Sequence, residues 1–476
     1  QAALNFAEES ELAVQSGSAQ SAAVIVHGDA SLSGDKVNLL SEVDFDLIAQ
    51  TTPASPDSNI TIDIEQTALT ELSSGADITA SSSAADALSV DASVVTGMDV
   101  SVLPGSLSVS DLLGLDAFSV DVNLVRHADV IIGSKVAPTA VDLSLQDYTD
   151  TTRWSAVSLP AETYLSSGGT QDLSVGDVVR VAAGHAPGGA VGQTYVFLGG
   201  AAPTTIDAAG GVTLDARLSD HVSRPASKGV HLDIQSNLFG LGSLALDDRA
   251  VVRGQNTHIS ADSFVATADV DNSQYIDAQF AQIAAEGVVA SDFKGIKFGA
   301  PSSGSQPSLL KLEAVDNAQF RTNSQGFEPD DSISLIDIEA FGAMNSLARF
   351  VSADLIGGTV DAEQIEVHAR ASQTAEAFVG AQSAVNVPEI FDTGAWAFGA
   401  SYSVNHVIGG VSASLHNIRV ASDGASSSST AVSVSALNSM QLNVGVEAGS
   451  KALGGSGVAG GGVIALNLVG GSTAPI

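Results

Sequence analysis

The chain has 476 residues, with 54 acidic against 18 basic side chains and a formal charge of −36. That balance excludes general nucleic-acid binding, which needs a basic face against phosphate, and it disfavours docking on anionic lipid. Cysteine is absent, so disulfides, thiolate metal sites and thiol nucleophiles are excluded. With 44% hydrophobic and only 5% aromatic residues, the chain is too apolar to be disordered. Its interior must be filled by Val, Ala, Leu and Ile.

The chain opens at Gln1 without Met or a signal peptide and closes on Gly470-Gly471-Ser472-Thr473-Ala474-Pro475-Ile476. The expectation is a processed or excised piece of something longer. No apolar stretch reaches the roughly 18 residues of a membrane span, so no membrane insertion is expected. Period-2 alternation then dominates. Ile60-Thr61-Ile62-Asp63-Ile64-Glu65, Leu107-Ser108-Val109-Ser110, Phe118-Ser119-Val120-Asp121-Val122-Asn123-Leu124 and Ala431-Val432-Ser433-Val434-Ser435-Ala436 each put apolar side chains on one face and Ser or Asp on the other. That is the pattern of half-buried strands, and Gly, Asn, Asp and Ser clusters separate them. Helical periodicity is nearly absent; 345–354 and 277–285 are the two short helix candidates.

Residues 142–220 depart from this pattern. They hold Tyr148, Trp154, Tyr164 and Tyr195, a concentration of the rare large aromatics. Strand-like runs at 176–184 and 194–199 flank the Gly-rich turn His185–Gln193. The expectation is a small antiparallel β module inserted between solenoid stretches at 1–141 and 221–476. A Ser/Gly/Pro loop at 301–307 is a lesser interruption.

Residues 353–471 repeat. Gly399-Ala400-Ser401-Tyr402-Ser403-Val404-Asn405 matches Gly461-Gly462-Val463-Ile464-Ala465-Leu466-Asn467 at an offset of 62. Ala377–Ala381 matches Leu442–Val446 at 65, and Ile365–Ala369 matches Val432–Ala436 at 67. Read as three coils per repeat, each coil holds about 21 or 22 residues, a length suited to an all-β, parallel β-helix. Parallel strands stack about 4.8 Å apart, with small apolar residues inside and glycine at tight corners.

The Gly-spaced segment 397–410 with Val411-Ser412-Ala413-Ser414-Leu415, and the run Asp147-Tyr148-Thr149-Asp150-Thr151-Thr152-Arg153-Trp154 with the 176–199 hairpin, resemble segments of giant bacterial secreted surface proteins. These are the leukotoxin-like and filamentous-haemagglutinin-like adhesins. The resemblance implies a right-handed β-helix, export to the cell surface, and a role in adhesion, coating or filament formation. It transfers no catalytic residue. The calcium-binding nonapeptide arrays of many such proteins are missing here.

Candidate chemistry is sparse. Gly455-Ser456-Gly457-Val458-Ala459-Gly460 has the spacing of a dinucleotide fingerprint, but Val463-Ile464-Ala465-Leu466 after it reads as a strand where the motif needs a helix. Asp269, Asp271 and Asp277 begin like a calcium loop, yet Gln274 and Phe280 stand where an EF-hand needs Gly and a bidentate acid. An irregular calcium site there, or a solvated turn, are the two readings, and no cofactor other than calcium is expected. Glu328-Pro329-Asp330-Asp331 reads the same way. The nine histidines show no paired metal spacing; His406 and His416 are ten apart. Tyr148, Arg153 and Trp154 form a candidate ligand or partner contact, with the module's own core as the plain alternative.

The expected function is structural and not enzymatic: a segment of an extracellular, cell-surface protein serving as adhesin stalk or filament and matrix building block. Expected partners are further copies, end to end or side by side, a longer chain, and surface glycans or other cells. The enzymatic alternative is a polysaccharide lyase or glycosidase on the same fold. A lyase for acidic sugars wants clustered bases, and only Arg249 with Arg253 and Lys294 with Lys297 come close.

Overall fold

The computed structural model describes residues 2–5, 14–28, 30–51, 59–102, 117–133, 139–150, 153–157, 164–173, 177–197, 202–220, 222–224, 227–235, 239–301, 306–325, 336–386, 395–420, 430–453 and 457–471. Among them the chain is built from strands, with a single 3-10 turn at Leu143–Leu145 and no α-helix. No helix is long and apolar enough to cross a membrane.

The strands in chain order are β1 (Ala2–Asn5), β2 (Val14–Val26), β3 (Ser31–Gly34), β4 (Val37–Thr51), β5 (Asn59–Leu72), β6 (Asp77–Ala80), β7 (Leu88–Val102) and β8 (Ala117–Ile132). An excursion follows through β9 (Thr139–Asp142), β10 (Trp154–Val157), β11 (Tyr164–Leu165), β12 (Thr170–Leu173), β13 (Val178–Arg180) and β14 (Thr194–Phe197). The chain returns with β15 (Thr204–Ala208), β16 (Gly211–Asp220), the small hairpin β17 (Val222–Arg224) and β18 (Ser227–Lys228), β19 (Val230–Ile234) and β20 (Phe239–Ser260). Long strands complete it: β21 (Ser263–Asp277), β22 (Phe280–Gly299), β23 (Leu309–Gln325), β24 (Ile336–Val360), β25 (Gln364–Asn386), β26 (Ala395–Val420), β27 (Ala431–Leu453) and β28 (Gly457–Gly471).

Two large sheets collect these strands, and within each sheet every neighbour runs parallel. The first has the order β1-β4-β7-β16-β21-β23-β25-β27, and the second β2-β5-β8-β20-β22-β24-β26-β28. From β20 onward the chain alternates between the sheets, so each passage adds one strand to each ladder. The interior lies between the sheets and is filled from the alternate positions that the period-2 pattern marks as apolar.

The 21–22-residue coil is not what the chain builds. Phe280 pairs with Gly342, 62 residues on; Ile336 with Trp396, 60 on; and Gly399 with Gly461, again 62 on. One repeat is therefore one circuit of two long strands. Glycine is also found inside strands, as at Gly254 in β20 and Gly287 in β22. The two helix candidates are also corrected: Asn345–Asp354 runs within β24, and Asp277–Ala285 is the end of β21, a two-residue connection and the start of β22. Their side chains alternate between the sheet faces, and the tight parallel pairing of both neighbours overrides weak helix propensity.

The excursion at β9–β14 belongs to neither large sheet. β10-β14-β13-β11 form one small sheet and β9-β12 another. The hairpin β13–β14 is antiparallel, with Val179 opposite Tyr195, whereas β11 joins β13 in parallel. Residues 204–220 return to the large sheets, so the excursion is narrower than 142–220. It is inserted within a rung: β8 and β15 lie end to end along the unbroken strand β20, Ile132 opposite Gly254 and Thr204 opposite Thr257.

A polar seam divides the interior lengthwise. In the second sheet one register column reads Gln66, Arg126, Asp248, Gly287, Arg349, Gly409. On its side toward the strand starts lie Val122, Leu124, Leu244, Leu246 and Leu347, in one apolar cluster. On the other side lie Ala128, Val130, Ala250, Val252 and Val351, in a second. Arg126 donates to Asp248 and Asp220, both at 2.8 Å, with all three side chains fully buried. Arg349 grips Asp316 with two bonds of 2.9 Å and reaches Asp248 at 3.1 Å. Asn272 donates to Asp248, and Gln373 to Asp316.

Buried guanidinium–carboxylate pairs need several such bonds, because each ion has lost its water. The seam holds two guanidiniums against three carboxylates. Burial accordingly pushes Asp220, at the end of the seam, up to about 6, against the pull of Arg126. Burial acts the same way on Asp248, but Arg126 and Arg349 together overcome it and hold its carboxyl below the usual range.

Candidate functional site

The second sheet bends at one column of left-handed residues. Asn256 (φ 47°), Gly295 (φ 69°), Gly357 (φ 67°) and Asn417 (φ 57°) occupy it on four successive rungs. Glycine accepts positive φ at no steric cost, and asparagine is among the few other residues that visit it. Asn256 and Asn417 are the only non-glycine residues with positive φ among the described residues.

Two residues beyond the bend, each strand presents a polar side chain at the same register: His258, Lys297, Thr359 and Arg419. Adjacent rungs are about 4.8 Å apart, so Lys297 and Arg419 stand roughly 10 Å apart with Thr359 between them. Both cations are exposed, and among the described residues neither has an ion-pair partner. Burial, with Lys297 next to it, pulls His258 below the ordinary histidine range.

The inserted module faces this column. A cavity of about 310 Å³ lies between them, walled by Tyr148, Trp154 and Tyr195 on the module side and by Lys297, Thr359 and Arg419 on the sheet side. The aromatics are also the module's core. Tyr148 is 1% and Trp154 2% exposed, with ring centroids 4.6 Å apart. The Tyr148 hydroxyl donates to the Leu143 carbonyl at 3.0 Å, and the Tyr195 hydroxyl accepts from Ala190 N–H at 3.2 Å. The indole N–H of Trp154 is buried without a hydrogen-bond partner.

The structure thus brings Tyr148 and Trp154 together in the module's core, and both also line the cavity. Arg153 does not line the cavity; its main-chain N–H bonds the Asp150 carbonyl at 3.2 Å. Sequence reading missed Lys297 with Arg419 as a pair, because only the 60- to 62-residue circuit makes them neighbours.

The calcium candidates do not converge. Asp269, Asp271 and Asp277 share one face of β21, but eight residues of extended chain put Asp269 and Asp277 roughly 26 Å apart. Arg217 stands 3.7 Å from Asp269. Asp277 accepts from Tyr275 at 3.1 Å and Asn323 at 3.2 Å. No cluster of three or more metal-ligating side chains occurs among the described residues. Residues 328–331 lie outside the described residues, as do Gly455 and Ser456 of the glycine-rich motif, whose remainder is strand β28. His406 and His416 lie along β26, roughly 33 Å apart. Arg249 is bound to Asp129 at 3.0 Å, and Arg253 stands 3.9 Å from Asp292.

Comparison of the chain with known protein families, curated proteins and solved structures returned no match.

Proposed function

We propose that the chain is a structural segment of an extracellular bacterial surface protein: a right-handed parallel β-helix that acts as a stiff spacer in a stalk, filament or matrix and carries the inserted module on its side. Handedness rests on the rule that crossovers between parallel strands of one sheet are right-handed in about 98% of cases. The observation that carries the reading is the state of the last rung. β27 and β28 each have a partner on one side only among the described residues. There Val432, Leu437, Val463, Ile464 and Val469 are exposed between 49% and 67%. Open parallel edges of this kind are completed by more rungs, from further chain or from a second copy.

Eight rungs rise only about 38 Å, less than the length of the longest strands. One copy is therefore a slab, and stiffness along the stacking axis comes from continued rungs. Hydrogen exchange of β28, read beside sedimentation velocity over a range of concentrations, tests the reading. Fast exchange in the monomer, with protection on assembly or on chain extension, is the expected result. A monomer whose β28 amides are as protected as those of β22 would overturn it, since that end would need no continuation.

A further inference from the structure

We propose that the cavity between the module and the second sheet binds an anionic saccharide, one or two rings bearing carboxylate or sulfate. The inference goes beyond the structural reading and does not depend on the rungs being extended.

The argument starts from charge. In a protein of formal charge −36 with 18 basic residues, Arg126, Arg349, Arg249, Arg217, Lys36 and Lys311 have carboxylates within 3.1 Å, and Arg253 and Arg321 each stand 3.9 Å from one. Lys297 and Arg419 are different. They share one column, point to one cavity and have no ion-pair partner among the described residues. Among the described residues no carboxylate lines that cavity.

The remaining polar lining is also rich in donors. Thr359 sits between the cations, and its hydroxyl is a hydrogen-bond donor. The site therefore offers two positive charges roughly 10 Å apart and a hydrogen-bond donor. Tyr148, Trp154, Ala156 and Ile296 add apolar wall. The complementary ligand is rich in acceptors, carries negative charge and has an apolar face. A uronic-acid or sulfated sugar has all three, with ring C–H groups against the aromatic edges. The volume lies at the small end of ligand pockets, which favours a short oligosaccharide or a chain end over a long polymer.

Titration calorimetry, with Trp154 fluorescence as a second signal, tests the proposal on the whole chain. The probes are a diuronate, a sulfated disaccharide, the neutral disaccharide, and sodium acetate and sulfate. One or both anionic disaccharides should bind, the neutral one about tenfold or more weaker, and the free anions weaker still. The two anionic arms show whether carboxylate or sulfate is preferred. The double variant Lys297→Gln/Arg419→Gln should lose at least about tenfold in affinity, and binding should weaken with salt. Lys36→Gln, the loss of one positive charge at a remote ion pair, should leave affinity unchanged. Equal binding of the neutral sugar, free sulfate as tight as the saccharide, undiminished binding by the double variant, or no binding of either anionic disaccharide would each overturn it. The substituted side chains are exposed, and matched melting curves will show that the variants fold.

Discussion

Gly287 and Arg349 occupy adjacent rungs of one column, and a β-carbon at Gly287 would lie 2.9 Å from the guanidinium carbon of Arg349. The missing side chain lets Arg349 pass over the intervening strand β22 and reach Asp248, two rungs away. Gly287→Ala should therefore destabilise the protein by about 1–3 kcal/mol through overpacking. Arg349→Met, which strands Asp316 without its cation and leaves Asp248 with Arg126 alone, should cost about 3–5 kcal/mol. Replacing Arg349 and Asp316 together by apolar residues, with Asp248 kept as a partner of Arg126, should recover much of that loss. Urea unfolding of the three variants checks all of it.

Asn405 donates to Asn467 at 3.0 Å and accepts from Asn345 at 2.9 Å, an amide ladder across three rungs. Asn405→Leu takes the acceptor from one N–H of the fully buried Asn345 and removes the donor to Asn467. The expected cost is about 1–3 kcal/mol, concentrated on the last rungs. Faster amide exchange in β26 and β28, with β8 and β20 unchanged, is the measurement.

The bend column gives a graded prediction. Asn417→Gly should be close to neutral, whereas Gly295→Ala and Gly357→Ala, forced to hold positive φ, should each lose about 1 kcal/mol or more. Melting curves of the three variants suffice. Similar losses at all three positions would refute the account of the bend.

Acid should stabilise the fold over a defined window. Burial pushes Asp215 up to about 6, with Asp91 and Asp269 adding to it against Arg217. Asp292 is pushed up to about 6 by burial and by Asp354 on the next rung. Asp220, in the seam, is also raised to about 6. A carboxyl with a raised folded pKa binds its proton in the native state first. Stability therefore rises as pH falls from about 7 toward 4, between the folded and unfolded values. Below that window these groups contribute nothing further, while Asp248, held low, begins to lose its stabilising charge in stronger acid. The thermal midpoint should be higher at pH 5 than at pH 7.5, and Asp292→Asn should reduce the difference. A midpoint that falls steadily over that range would refute the assignment.

Much of the architecture was legible because parallel stacking leaves like residues on one column. The offsets of 62 for Gly399–Asn405 and 67 for Ile365–Ala369 are the strand registers themselves. The offset of 65 for Ala377–Ala381 misses its register of 67 by two, which keeps the correct face. What repetition could not convey was how many strands share one circuit, since alternation runs unbroken through strands of more than twenty residues. The seam had a signal that went unused. Arg126 is in phase with Leu124 and Ala128, and Arg349 with Leu347 and Val351, so parity alone marks both guanidiniums as inward. Lys297 and Arg419 carry no comparable local mark.

The break between β8 and β15 has a consequence for how such a chain can diversify. Because β20 runs past the gap unbroken, the scaffold's pairing does not depend on what fills it. Ile132 and Thr204 face residues only three apart on β20, so the gap is roughly 10 Å wide. Any independently folding unit whose ends lie that close can be grafted there in place of the present cargo, and the same support can display different heads.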